Sequence, residues 1–242
     1  MRIFYLNNPW YDSCKEEKGN FWMLKIVVYD SGYGGEIFAD QLEKELPTVE
    51  VIRVIDWRNA EQLLMDPRKG KKLAALSLRP YIGRVDLIVF TNYLLSATSQ
   101  NYFSKKFRNQ KFAFIRPNWD KSQKRKKCLI LTTKAFAKTT EHLANKIYLW
   151  KKSKTLALDS WPSKIDDGEL RLDEIKENLT LLTLQSNWYP EEVIITCSQF
   201  SDIRRELKSV LGYKTKILDG NDALIRDICK SLHIRGALRK RK

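Results

Sequence analysis

Residues Leu24–Gly35 read LKIVVYDSGYGG. Leu24–Tyr29 is a short apolar run rich in β-branched residues, the composition of a parallel strand buried on both faces. Asp30-Ser31-Gly32-Tyr33-Gly34-Gly35 then reads as a turn. Glu36–Leu46 places Ile37, Phe38, Leu42 and Leu46 on one helical face, and Pro47 stops the helix. Strand, glycine-rich turn and helix in that order make the repeating unit of an α/β fold.

The unit recurs along the chain. Further strands are predicted at Val49–Ile55, Val85–Phe90, Lys111–Ile115, Cys128–Leu131, Val193–Thr196 and Thr215–Leu218. Helices are predicted at Ala60–Leu64, Lys71–Leu78, Ser99–Phe107, after Thr132-Thr133 through Lys146, and at Asp173–Leu184, Ser201–Leu211 and Asp222–Leu232. Asp66-Pro67 reads as a break and Trp161-Pro162 as a loop. Strands alternating with helices predict parallel sheets covered on both faces, with ligands beyond the carboxyl ends of the strands. Asp30, Ser31, Thr91, Asn92, Tyr93, Thr132, Thr133, Cys197 and Ser198 are therefore expected to converge.

The turn DSGYGG is neither a Walker loop nor a dinucleotide fingerprint, since no GK[ST] follows and the GxGxxG spacing is missing. Its glycines allow positive φ and close approach of the backbone, and amides at the following helix start can hold an anion. Asp30 reads equally as an ammonium holder or proton acceptor and as a helix cap. Cys197, between a strand and a predicted helix, is the one cysteine placed like a reactive thiol, because a helix N-terminus lowers a thiol pKa. The competing reading is a small core hydrophobe. Ser198 beside it can assist through its hydroxyl or amide.

The totals narrow the function classes. Among 242 residues, 43% are hydrophobic and 30% charged, as in an ordinary globular protein. No apolar run reaches the roughly 20 residues that span a bilayer, so no membrane partner is expected. Residues 1–22 hold no continuous apolar segment, so no cleaved secretion signal is expected there, and the expected location is cytoplasmic. Cys14, Cys128, Cys197 and Cys229 lack CxxC pairing, and His142 and His233 lack ligand spacing, which disfavours structural zinc. Free thiols are expected. The net charge of +15 favours anionic partners, with basic runs at Lys121–Lys127 and Arg235–Lys242 that read as solvated loop and tail. Nucleic acid stays a candidate partner on charge alone, because no groove-reading motif accompanies it. Oligomeric state is open, a homodimer being one option.

Taken in order, these segments resemble glutamate racemase and its relatives in the aspartate/glutamate racemase superfamily. IVVYDSGYGG resembles that family's first strand and DSGxGG turn. VDLIVFTNYLLSA stands where the family has a strand running into a CNTxS-like motif, CLILTTKAFAKT resembles the ATxxT segment, and VIITCSQFSDI resembles the second-cysteine motif, usually GCTHYP. TKILDGNDALIRDI resembles the closing strand and helix. The resemblance implies two pseudo-symmetric three-layer α/β lobes with the active site in the cleft between them. The first would be residues 23–115 plus 214–242 and the second 116–213, with 1–22 an N-terminal extension. It also implies cofactor-independent isomerase chemistry, with two cysteines on opposite faces of the substrate α-carbon.

The sequence departs from that pattern at the site. The first cysteine falls at Thr91; Asn92 is kept, and Tyr93 replaces a threonine. Phe136 stands at the later threonine of ATxxT, and Thr-His-Tyr-Pro has become Ser198-Gln199-Phe200-Ser201. A threonine hydroxyl is too weakly acidic to serve as a thiolate does. The resemblance carries over Cys197, Asp30 and Thr91 as candidate catalytic residues. Ser31, Asn92, Tyr93, Thr133, Ser198 and Gln199 are the candidate ligand contacts. Three outcomes follow from it: an enzyme moving a proton at the α-carbon of a small amino acid or dicarboxylate, a decarboxylase-like enzyme using one cysteine, or a non-catalytic homologue binding a small anion or a protein.

Overall fold

The computed structural model describes residues 23–60, 62, 66–118, 126–138, 153–184 and 187–234. Cys14, His142, most of Ala60–Leu64, the end of the helix predicted through Lys146, most of the 121–127 run and Arg235–Lys242 lie outside the described residues. Two four-stranded sheets form, each entirely parallel. The first contains β1 (Leu24–Asp30), β2 (Val49–Ile55), β3 (Leu87–Phe90) and β4 (Phe112–Phe114), in the order β2-β1-β3-β4. The second contains β5 (Cys128–Thr132), β6 (Ser153–Ala157), β7 (Glu192–Ile195) and β8 (Lys216–Leu218), in the order β6-β5-β7-β8. The second sheet thus repeats the strand order of the first.

Strand β1 shows why the sequence folds this way. Ile26, Val27, Val28 and Tyr29 are all fully buried. Alternate side chains serve opposite cores: Ile26 and Val28 pack with Phe38 and Leu42 of α1 (Gly34–Glu45). Val27 and Tyr29 pack with Ala74 and Leu78 of α2 (Pro67–Leu78) and Phe103 of α3 (Tyr93–Lys106). Full burial of one such aliphatic side chain contributes about 1.5–3 kcal/mol, which locks the register of this strand. In the second lobe Leu129, Leu131, Val193 and Ile195 face a core shared with Trp161 and Ile165 of α4 (Trp161–Asp166), Ile175 and Leu179 of α5 (Leu172–Leu184) and Leu207 of α6 (Arg204–Leu211).

Four local expectations change. Asp66-Pro67 starts a helix instead of breaking one: Asp66 accepts hydrogen bonds from the Arg68 and Lys69 amides, and Pro67 sits in the first turn, where a missing N–H does no harm. Trp161-Pro162 likewise opens α4. Helix α3 begins at Tyr93, six residues before the predicted start, because the Asn92 side chain accepts from the Leu95 amide. Finally, the described part of 214–242, residues 214–234, expected with the first lobe, divides. Strand β8 pairs with β7 in the second sheet, and α7 (Gly220–Ser231) returns Leu224, Ile225 and Ile228 to the first core.

Candidate functional site

The carboxyl ends of β1, β3, β5 and β7 face a cavity of about 410 Å³ between the lobes. Asp30, Ser31, Asn92 and Tyr93 line it from the first lobe, and Thr133, Cys197, Ser198 and Gln199 from the second. Of the nine candidate catalytic and ligand-contact residues, Thr91 alone does not line it; Thr132, also expected at these strand ends, does not line it either. The Thr91 side chain is fully buried, and its hydroxyl donates to Asp30 Oδ2 at 2.5 Å, with the Tyr29 carbonyl at 3.3 Å. Thr91 therefore lies behind the carboxylate, out of reach of a ligand in the cavity, and the expectation that it faces substrate does not hold.

Asp30 ends β1 and is 2% exposed. Its Oδ1 accepts from the amides of Ser31 at 2.6 Å and Gly32 at 3.2 Å. The carboxylate thus closes its own turn and does not cap α1, whose N-terminus has no side-chain cap. Burial pushes its pKa up to about 6, against the opposing pull of the Thr91 hydroxyl, the Ser31 and Gly32 amides and Asn92. At neutral pH it remains largely ionised. The glycines of the turn act by close approach: none of them has positive φ. A Cβ on Gly35 would lie 2.5 Å from Asp30 Cβ, and one on Gly34 would lie 1.9 Å from Ser198 Oγ across the lobe boundary.

On the opposite wall, Cys197 is half-buried after β7. It precedes only a four-residue 3-10 turn, Ser198–Ser201, so the helix N-terminus expected to acidify it is missing. Burial pushes the thiol up to about 12; the Asp30 and Asp166 carboxylates raise it further, and the Gln199 and Phe200 amides oppose them in part. Cys197 is therefore a protonated thiol at neutral pH. Its Sγ donates to Gln199 Oε1 at 3.0 Å, which also accepts from Ser198 Oγ at 3.4 Å. Across the site, Asn92 Nδ2 donates to Ser31 Oγ at 3.0 Å. Thr133 Oγ1 accepts from the Phe136 amide at 3.4 Å.

Tyr93 joins the lobes. Its hydroxyl donates to the Ile195 carbonyl at 3.2 Å, and its ring meets Phe136 edge-on at a centroid distance of 5.6 Å. Gly220 makes room for it, since a Cβ there would sit 2.0 Å from the Tyr93 hydroxyl oxygen. The polar end of Tyr93 is thus engaged by protein.

Among the lining residues that sequence reasoning missed are Trp57, Asp159 and Asp166. Trp57 lies in a 3-10 turn after β2 and is 54% exposed. Asp166 ends α4; burial pushes its carboxyl up to about 6, and a Gln199 hydrogen bond opposes that rise. Among the described residues, no group of three or more His, Cys, Asp or Glu is placed to hold a metal ion. No helix there is long and apolar enough to cross a membrane.

Solved structures match this architecture across most of the chain. Escherichia coli glutamate racemase, solved with L-glutamate and an activator, superposes with a TM-score of 0.74 at 19% identity, covering 88% of this chain and 83% of that one. Campylobacter jejuni glutamate racemase gives 0.72 at 21% identity, covering 90% and 89%. This chain has the glutamate racemase fold. The Picrophilus torridus aspartate racemase, at 0.59 and 13% identity over 87% and 94%, shares the same racemase architecture. No protein-family model matches the sequence, and no curated protein matches it. The racemase fold is thus kept in a sequence far from these relatives, with the cavity at the ends of its strands.

Proposed function

We propose that this racemase-fold protein binds a small amino-acid-like ligand between its lobes and exchanges its α-proton on one face only: the Cys197 thiolate, a minor fraction at neutral pH, takes the α-proton and leaves the electron pair on the carbon, and the thiol so formed, after exchange with solvent, returns a proton to the same face. The observation that carries this reading is the burial of Thr91 behind Asp30. Two-base racemisation needs a competent group on each side of the α-carbon. The Thr91 hydroxyl is both too weakly acidic and turned into the Asp30 carboxylate. The Cys197 thiol borders the cavity and carries its proton at neutral pH. Asp30 is the carboxylate suited to orient an ammonium group. The Ser31 and Thr133 hydroxyls and the Asn92 amide supply neutral groups for one carboxylate.

The protonated state of Cys197 favours a second reading of the same site: protonation of a carbanion left by loss of carbon dioxide. A thiol held near 12 is a better acid for a carbanion than a base for a carbon–hydrogen bond.

Incubation with each enantiomer of small amino acids, ornithine, glutamate and aspartate among them, in deuterated water, followed by proton NMR, tests the primary reading. The expected result is loss of the α-proton signal from one hand with retention, and its disappearance in Cys197→Ser. Exchange that survives this substitution would remove Cys197 from the chemistry. Absence of exchange alongside evolution of carbon dioxide from a malonate-type acid would replace the primary reading with the second.

A further inference from the structure

We propose that the cleft is shaped for an amino acid whose side chain carries a positive charge, a small diamino acid, in preference to a dicarboxylate. The inference rests on the cleft being a ligand site, as proposed above, and names its substrate class. Three carboxylates line the cavity, Asp30, Asp159 and Asp166, and among the described residues no lysine, arginine or histidine lines it. Lys134 neutralises Asp159 through an ion pair of 3.2 Å. Asp30 and Asp166 have no such cation among the described residues.

The turn whose amides could seat a second ligand carboxylate is already occupied. The Ser31 and Gly32 amides donate to Asp30 Oδ1. Among the described residues a glutamate side chain would therefore meet carboxylates with no cation to hold it, and like charges brought together in a partly desolvated site oppose binding. A side-chain ammonium reverses each of these terms. Two carboxylates on opposite walls suit two ammonium groups: Asp30 from the first lobe and Asp166 from α4 of the second. Trp57 adds an exposed indole to the rim, and an aromatic face attracts a cation through its quadrupole.

The chain's excess of positive charge does not contradict this, because it lies elsewhere. Residues 67–118 contain eleven Lys and Arg against one acid, Asp86. None of these cations lines the cleft.

Isothermal titration of the whole chain with both hands of ornithine and of glutamate is the test. One hand of ornithine is expected to bind at least about tenfold more tightly than either hand of glutamate, and Asp166→Asn to reduce that preference to within about threefold. Circular dichroism of Asp166→Asn checks that the fold is kept, and Asp166→Glu, which retains the charge, is expected to keep most of the preference. Glutamate binding as tightly as ornithine, or a preference untouched by Asp166→Asn, overturns this inference and leaves the ligand site standing. Failure of every amino acid to bind overturns both.

Discussion

The Thr91 hydroxyl donates to Asp30 Oδ2 at 2.5 Å, with both side chains almost wholly buried at the ends of adjacent strands. This pair decides what the first-lobe wall of the cleft can do. It leaves one charged carboxylate toward the ligand and withdraws the group that would otherwise face the α-carbon. Removing the hydroxyl strips a hydrogen bond from a buried anion. Thr91→Val is expected to lower stability by about 1–3 kcal/mol at pH 7, measured by urea denaturation, and by less at pH 4.5, where Asp30 is protonated.

Asp30 also makes stability depend on pH in a specific direction. Its folded pKa of about 6 lies above the ordinary carboxylate value, so between roughly pH 4 and 6 the folded protein binds more protons than the unfolded chain. Stability is therefore expected to rise as pH falls through 6 toward 4, by up to about 3 kcal/mol from this group, and the cost of its ionisation to be fully present above pH 6. Asp30→Asn should flatten much of that slope. The part that remains is assigned to Asp166, raised to about 6 by burial, and to Asp219, which burial also raises. Denaturant midpoints at half-unit pH steps measure both.

Cys197 provides a chemical readout. A thiol held near 12 reacts slowly with iodoacetamide at neutral pH, since only the thiolate attacks. The alkylation rate at Cys197, followed by peptide mass spectrometry, is expected to climb about tenfold per pH unit from pH 7 to 9 without levelling. A plateau below pH 8 would mean that the thiol is acidified and rests largely as thiolate.

Tyr93 is expected to matter for stability more than for ligand contact. Tyr93→Phe removes the bond to the Ile195 carbonyl and should cost about 0.5–1.5 kcal/mol. Gly220→Ala drives a methyl against the same hydroxyl and the Arg116 carbonyl, and should cost about 1–3 kcal/mol. In the double variant the two effects should not add, because both act on one contact; a double-mutant cycle reads this directly.

These residues also mark where the sequence was legible. Strand β1 was readable because it is apolar on both faces, and Asp30 because a glycine-rich turn follows it. Strand β6, Ser153–Ala157, carries no such signal: it sits at the sheet edge, and all five residues are half-buried, so neither a continuous apolar run nor an alternation emerges. Asp166 was hidden because Trp161-Pro162 reads as a loop, whereas proline in a first turn starts a helix as readily as it stops one. The state of Cys197 could not be read locally at all. It depends on burial and on Asp30 and Asp166, which are remote in sequence and meet only in the folded cleft.

The enantiomeric composition of the ligand after long incubation tests the one-sided cleft most directly. Each pure hand of glutamate, aspartate and ornithine is held with the wild-type protein and resolved by chiral chromatography. With Thr91 turned into Asp30 and, of the two positions, Cys197 alone bordering the cavity, each sample is predicted to keep its starting hand. Convergence of both hands of any of them on a racemic mixture would contradict the account, because it would require a second base on the first-lobe face.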